Sequence, residues 1–302
     1  IYKISSIKGE NMKALFGPSG NSESFYAEGH KSTLEAPKWL KERGLDLFEY
    51  SFGRGYILSS EMAEKIGKAF ADEDIKMSVH APYFINFANP DEIMYQKSIG
   101  YITTGIKFLR AFGAERLVFH PASVGKANRE EAFNLAKERI ISLANILEEQ
   151  GLLEGIYLCP ETMGKQMQIG TYEEVLQICQ GNSHLVPTFD FGHINALTQG
   201  SLKTCDDYVK IFERSIELIG RERTENCHIH FSKIQYGDKG EIRHLNFDDT
   251  IYGPEFEPLA QALVKLDLHP RILSESAGHM AEDAAEMKKI YQNLLDCNKQ
   301  MC

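Results

Sequence analysis

The sequence lacks the features that would place it in a membrane or in an oxidising compartment. No hydrophobic run approaches the roughly 18–20 residues that a transmembrane helix needs, and no signal-peptide pattern opens the chain. The six cysteines are scattered, and no two of them form a Cys-x-x-Cys pair. In a chain of this length, such cysteines indicate reduced thiols rather than a disulfide framework. We therefore expect a cytoplasmic protein in which cysteines such as Cys159 and Cys227 serve in packing.

A biased composition and an excess of basic residues are also absent. The chain has 302 residues, of which 43% are hydrophobic and 25% charged, and this balance excludes a disordered or collagen-like protein. The net charge of −10 argues against a nucleic-acid partner, because Lys and Arg supply most non-specific affinity for phosphates. Divalent ions bound by acidic residues would offset part of that charge locally, so the charge balance leaves a DNA partner open.

Short apolar, β-branched runs alternate along the chain with longer amphipathic stretches, as in βαβ units with a parallel sheet. Eight such pairs without an intervening linker predict an α/β fold, a (β/α)8 TIM barrel. An open doubly wound sheet is the alternative, which the absence of a Gly-rich phosphate loop after any strand disfavours. The predicted strands are 13–17, 45–50, 76–81, 116–121, 155–161, 185–190, 226–231 and 271–275. The predicted helices are 33–42, 61–72, 93–112, 130–149, 172–180, 206–220, 256–266 and 281–295.

Residues 12–302 are predicted to form a single barrel domain. Met12 directly precedes the first predicted strand. We interpret residues 1–11 as an upstream extension or as residues added during cloning.

Six residues of the types that bind metals fall at or just beyond the predicted carboxyl ends of strands. Successive members are 40, 41, 29, 40 and 45 residues apart, which is about one βα unit for each step. Barrel enzymes build their sites at this end of the strands, so we expect these side chains to converge. Three imidazoles and three carboxylates suit a divalent ion such as Zn²⁺ or Mn²⁺. The six residues are His80, His120, Glu161, Asp190, His230 and Glu275.

Each of these residues also has a purely structural interpretation. A histidine at a strand end is often a core or surface residue, and Glu161 or Asp190 could simply cap the helix that follows. His228 points to the same face of its predicted strand as His230, so it could pack in the barrel or replace His230 as a ligand. Two further histidines, His193 and His244, are expected in loops beyond the sixth and seventh strands. Six coincident strand ends favour the metal site.

The ordered motifs HAPYFIN, FHP, ET, D-x-x-H, H-x-S-K, R-H and ES resemble endonuclease IV, a family of metal-dependent abasic-site endonucleases with a xylose isomerase-like barrel. The resemblance extends from about Met12 to Leu295. It implies a site with two or three Zn²⁺ ions, in which His80 and His120 hold the first ion. It further implies that Glu161 bridges to a second ion, which Asp190, His230 and Glu275 complete, and that His193 and His244 bind a third.

The sequence departs from the family at the third ion. The family has Asp-Arg-His after the seventh strand, whereas this chain has Ile242-Arg243-His244, so the aspartate ligand is replaced by Ile242. Neighbouring Glu241 could serve in its place, or the site could hold only two ions. The resemblance also assigns DNA contacts to Tyr83, three residues after His80, and to Arg54 in the Gly-rich loop after the second strand. Alternatively, Tyr83 packs at the rim and Arg54 is a solvated loop residue.

The activity implied by the resemblance is hydrolysis of the phosphodiester 5′ to an abasic site in double-stranded DNA, as in base excision repair. Glu161 and Glu275 would be the catalytic carboxylates, with Glu275 as general base. The principal alternative is a metal-dependent sugar or sugar-phosphate isomerase or epimerase on the same barrel, for which Glu161, Asp190, His230 and Glu275 alone would suffice. A metal-loaded binding protein without catalytic activity is a third interpretation. The surplus of histidines favours the nuclease, and neither a membrane nor a protein partner is implied.

Overall fold

A computed structural model of the protein describes residues 13–301, so the interpretation of residues 1–11 as an extension lies outside the described part of the chain. The predicted α/β barrel is confirmed, because eight parallel strands follow one another around a ring with helices between them. These strands are Leu15–Pro18, Leu47–Ser51, Lys76–His80, Arg116–Phe119, Tyr157–Pro160, Thr188–Asp190, His228–Phe231 and Arg271–Ser274.

Hydrogen bonding divides the ring into two four-stranded arcs. The second to fifth strands pair in chain order. In the other arc, the first strand pairs with the eighth, the eighth with the seventh, and the seventh with the sixth. Parallel bridges from Leu158 to Leu185 and from Glu161 to Thr188 join the arcs on one side. On the other side, the Asp46 amide donates to the Phe16 carbonyl at 2.9 Å. All eight carboxyl ends therefore meet at one mouth.

The close approach of the first two strands depends on glycine at position 17. A Cβ atom there would lie 1.7 Å from the Leu47 carbonyl oxygen, which belongs to the backbone of the neighbouring strand. No rotamer change could relieve that overlap, so the backbones would have to separate where the barrel closes.

The helices that cover the barrel begin at recognisable caps. Asp91 and Asn128 accept backbone hydrogen bonds at the start of the two longest internal helices, and Thr171 forms a capping box with Glu174. The α-helices are Glu23–Ala27, Ala36–Glu42, Ser60–Asp72, Glu92–Phe112, Arg129–Glu149, Tyr172–Cys179, Phe191–Leu197, Cys205–Ile219, Arg221–Glu225, Phe256–Leu266 and Met280–Met301. None of the helices in residues 13–301 is both long and apolar enough to cross a membrane.

Two short elements lie where the sequence analysis expected only loops. His193 is in the helix Phe191–Leu197, and His244 ends the second strand of a hairpin formed by Ile234–Gly237 and Gly240–His244. The expectation that both histidines lie in loops was therefore wrong. A helix of seven residues that directly follows a strand is too short to show a clear helical periodicity in the sequence. The hairpin strands have four and five residues and a polar sequence, so they show no clear alternation either.

The hairpin is fastened to the loop that follows the fifth strand. The Glu241 amide donates to the Gly164 carbonyl at 2.8 Å, and the Gln166 side chain donates to the Asp238 carbonyl at the same distance. Gly240 has φ +97°, and a Cβ atom there would lie 2.1 Å from the Gly164 oxygen. Together, the hairpin and this loop form one wall of the barrel mouth.

We predict that Gly17→Ala lowers the free energy of unfolding by at least about 3 kcal/mol, in the range of severe core substitutions, because the added methyl group meets backbone. Gly100→Ala is the matched control, since Gly100 is exposed within a helix and has nothing near its Cβ direction. That control should gain about 0.5–1 kcal/mol from helix propensity. Urea denaturation measures both variants, and equal stability of Gly17→Ala and wild type would contradict the argument.

Candidate metal centre

The first cluster at the barrel mouth joins the ends of the third, fourth and fifth strands. His80 Nε2 lies 3.1 Å from Glu161 Oε2, and His120 Nε2 lies 3.2 Å from the same oxygen. The other ring nitrogen of His80 donates to the Ala81 carbonyl at 2.7 Å. That hydrogen bond fixes the imidazole so that Nε2 faces the cluster, as metal-binding histidines are commonly held.

The second oxygen of Glu161 belongs to a second cluster. Glu161 Oε1 lies 3.0 Å from His230 Nδ1, which in turn lies 3.4 Å from Glu275 Oε1. Asp190 completes this group, whose four ligand atoms all lie within 4.8 Å of one another. One carboxylate thus faces two separate sets of ligands, which is the arrangement of a bridging ligand.

The third cluster contains Asp190, His193 and His244. His193 Nδ1 donates to the Thr162 carbonyl at 2.9 Å, which leaves Nε2 free to face the cavity. His244 Nδ1 lies 2.8 Å from the Ser232 hydroxyl, so its Nε2 is likewise free. The structure therefore brings together all eight of the metal-type residues singled out in the sequence.

A bulge in the hairpin brings Glu241 towards the same cluster. Gln235 pairs with Arg243 and Tyr236 pairs with Glu241, so Ile242 is an extra residue without a partner in the register. Such a bulge reverses the alternation of side chains, and Glu241 and His244 share a face although they are three residues apart. Glu241 Oε2 lies 3.5 Å from His193 Nε2, while Ile242 is 56% exposed.

Asp190 combines the structural and the metal-binding interpretations. Its Oδ1 accepts from the His193 amide at 2.7 Å and caps the helix Phe191–Leu197. Its Oδ2 is buried and has no hydrogen-bond partner among the described residues. A buried carboxylate oxygen without a hydrogen-bond partner is costly, and a bound cation would offset that cost. This atom, together with the imidazole and carboxylate donors around it, fits a divalent ion.

The titration of these groups reflects their mutual proximity. Burial alone would raise the pKa of Glu161, but the imidazoles of His230, His120 and His80 outweigh it and hold that pKa well below its usual range. Burial opposes protonation of His80, yet Glu161 and neighbouring carboxylates raise its pKa to about 9. The pKa of His193 is also raised to about 9, against burial, chiefly by Asp190.

A cavity of about 350 Å³ opens above the clusters. Tyr83 lines it, and its ring centre lies 5.3 Å from that of His120. Arg54 is exposed in the loop after the second strand and is not among the residues that line the cavity. Of the two DNA-contact candidates, the structure therefore places only Tyr83 beside the ligand clusters.

The sequence analysis did not single out three polar residues of this region. Lys165 and Gln168 line the cavity from the segment after the fifth strand, where Gln168 lies in the short strand Gln168–Ile169, and no strand-end position marks them in the sequence. Glu49 lies below the second cluster, 2.9 Å from His230 Nε2. A carboxylate within the otherwise uncharged strand Leu47–Ser51 was a signal that could have identified it.

We predict that zinc binding at pH 7 releases protons. His80 and His193 carry protons at pH 7 because their pKa values are about 9, whereas an ion needs the neutral imidazole. For each proton that an ion displaces, the affinity for zinc should therefore fall by about tenfold with each pH unit below 8. Calorimetric zinc titrations in buffers of different ionisation enthalpy count these protons.

His80→Gln should lower the number of protons released by about one. His269→Gln, whose imidazole contacts Glu225 instead, should leave the number unchanged. Zinc binding without proton release at pH 7 would contradict the prediction.

Comparisons with known proteins agree with the fold. Residues 37–294 match the family model for xylose isomerase-like TIM barrels. An uncharacterized protein of Methanocaldococcus jannaschii is 32% identical over 93% of this chain and 97% of its own length. A probable endonuclease 4 of Listeria monocytogenes is 26% identical over 95% of this chain and 91% of its own length.

Two solved structures share the architecture. Endonuclease IV from Thermus thermophilus superimposes with a TM-score of 0.61 at 18% identity, covering 89% of this chain and 96% of its own. An L-ribulose 3-epimerase superimposes with a TM-score of 0.67 at 13% identity, covering 95% and 97%. At these identities the superpositions establish the fold alone, whereas the matched family model covers most of the chain. The chain belongs to the xylose isomerase-like TIM barrel family.

Proposed function

We propose that this protein is an endonuclease IV-type enzyme that hydrolyses the phosphodiester 5′ to abasic sites in double-stranded DNA. The observation that carries the proposal is the placement of four histidines outside the central carboxylate group. His80 and His120 form a group with Glu161, and His193 and His244 form a separate group with Asp190. A single-ion sugar isomerase would have no use for both pairs.

The residues divide into three ion-binding groups under this proposal. His80, His120 and Glu161 would hold one ion, and Glu161 would share a second with Asp190, His230 and Glu275. For the third ion, Glu241 would replace the family's aspartate beside His193 and His244. The bulge at Ile242 supports this assignment, because it gives Glu241 the orientation that the aspartate has by simple alternation.

Divalent ions in these groups, Zn²⁺ or Mn²⁺, would supply an activated water and Lewis-acid stabilisation of the phosphate. The protein's own contribution is orientation. Glu161, fully buried and ionised, holds the imidazoles of two groups at fixed positions. Glu275 lines the cavity, where its carboxylate can accept a proton from the attacking water.

The cavity dimensions favour an extruded nucleotide rather than an intact base pair. Because residues of the ligand clusters line a cavity of about 350 Å³, the abasic nucleotide would have to leave the helical stack for its 5′ phosphate to reach them. A missing base lowers the cost of that movement, since no stacking is lost. Tyr83 and Lys165, at the cavity wall, would contact the sugar and the phosphate.

A sugar epimerase is the second candidate, and two observations favour it. Glu161, Asp190, His230 and Glu275 form a complete four-ligand group for a single ion. The net charge of −10 is also unfavourable to DNA binding. The two functions differ in what they require of the outer histidines, which only the nuclease uses.

We expect a single cut on the 5′ side of a tetrahydrofuran abasic analogue in an end-labelled duplex, dependent on zinc or manganese and abolished by a chelator. Glu161→Gln should reduce this cleavage by about 10³-fold or more, because the charge that orients two groups is lost. Glu154→Gln, in an exposed turn, is the control and should cleave normally. Absence of cleavage by wild-type protein with ions bound would turn attention to free sugars as substrates.

The third ion has its own test. Glu241→Gln should lower the number of bound zinc ions by one, because the third group would then keep two imidazoles and only Asp190, which is also a ligand of the second ion, and these are too few ligands for a stable site. Ile242→Ala is the matched control, since Ile242 points to solvent and its replacement should leave the ion count unchanged. Elemental analysis after gel filtration gives both counts, and an equal count in Glu241→Gln and wild type would remove Glu241 from the site.

A further inference from the structure

A second polar cluster lies deeper in the barrel, beneath the metal centre. Glu49 comes from the second barrel strand and His228 from the seventh, two residues before His230. The side chains of all three have no exposed surface. Barrel interiors are usually filled by branched apolar side chains, so a buried carboxylate between two imidazoles needs a physical explanation.

Each oxygen of Glu49 has its own partners. Oε2 accepts from the Ser78 hydroxyl at 2.9 Å and from His228 Nε2 at 3.1 Å. Oε1 accepts from the Ser19 hydroxyl at 3.2 Å and lies 2.9 Å from His230 Nε2. Ser19, which directly follows the first strand, and residues of the third and seventh strands therefore hold this carboxylate beside His230.

The ring of His230 lies between two carboxylate environments. Its Nδ1 faces Glu161 and Glu275 at the metal centre, at 3.0 and 3.4 Å, while its Nε2 faces Glu49. The contact with Glu49 is close but is not aligned as a hydrogen bond, since Nε2 has no hydrogen-bond partner within residues 13–301.

We propose that Glu49 is a positioning residue for the metal centre, which acts through His230. It holds the Nε2 side of the ring so that Nδ1 presents its lone pair to the ion shared with Glu161 and Glu275. A carboxylate on the far nitrogen of a metal-binding imidazole fixes the ring orientation and raises its basicity. His228 serves as the donor that anchors Glu49. The inference rests on the metal-binding part of the proposed function and does not depend on the substrate.

The same three residues could instead be read as a separate ion site, since their ligand atoms lie within 4.8 Å of one another. The contacts favour the positioning role. Both oxygens of Glu49 already have hydroxyl and imidazole partners, and none of the three residues lines the cavity at the mouth.

The experiment compares Glu49→Gln with wild type in full-length protein. Zinc affinity is measured by competition with a chromogenic chelator, and the visible spectrum is recorded after loading with Co²⁺. For Glu49→Gln we expect about 10–100-fold weaker binding of one ion and altered cobalt bands, with the same number of ions bound at saturation. Glu115→Gln, which removes a carboxylate from the opposite end of the barrel, is the control and should match wild type.

Thermal unfolding of the metal-free variants separates positioning from a purely structural role. A structural role alone would lower the melting temperature in chelator and leave the zinc affinity and cobalt spectrum unchanged, which would overturn the proposal. Loss of one ion at saturation in both Glu49→Gln and His228→Gln would overturn it in favour of a separate ion site. If Glu49→Gln does not fold, Glu49→Asp keeps the charge but withdraws it from His230, and it should show a smaller change in the same direction.

Failure of the proposed function is distinguishable from failure of this inference. If wild-type protein binds no ions, the metal centre itself is refuted. If ions bind and Glu49→Gln changes the cobalt spectrum but no abasic DNA is cleaved, the positioning role stands and only the nuclease is refuted.

Discussion

The arrangement at the barrel mouth depends on the carboxylate of Glu161, whose two oxygens face different groups of imidazoles. His80 and His120 approach one oxygen and His230 approaches the other, so one negative charge holds together residues from four strands. Without ions, neighbouring carboxylates raise the pKa values of His80 and His230, so these two imidazoles keep their protons, whereas burial lowers the pKa of His120. The site thus holds its shape through charge balance, and protons and divalent ions are alternative ways to achieve that balance.

The barrel and the main ligands could be predicted from the sequence because both depend on periodicity. Strand runs recur at intervals of about 30–40 residues, and parallel strands in a closed ring bring all their carboxyl ends to one side. His80, His120 and Glu161 could therefore be predicted as ligands from their positions at strand ends. The boundaries of the eight predicted strands agree with the structure to within a few residues, since Gly, Pro and charged residues interrupt each run.

The parts that could not be predicted depend on local backbone geometry. A single extra residue in a five-residue strand turns Glu241 inward and Ile242 outward, and nothing in the composition of that strand indicates a bulge. Asp190 shows a different difficulty, because the same carboxylate caps a helix with one oxygen and leaves the other free. The sequence analysis treated the helix cap and the metal ligand as alternatives for Asp190. In the structure, one oxygen caps the helix and the other remains available to an ion.

The hydrogen bonds between the hairpin and the loop after the fifth strand have a consequence for how this family can diversify. Gly164 and Glu241 are joined through their backbones, and Gly240 leaves no room for a side chain at the crossing. An insertion in either segment would displace the other and, with it, the carboxylate beside His193. Keeping this contact therefore couples the lengths of the two segments, although 76 residues of chain lie between Gly164 and Glu241.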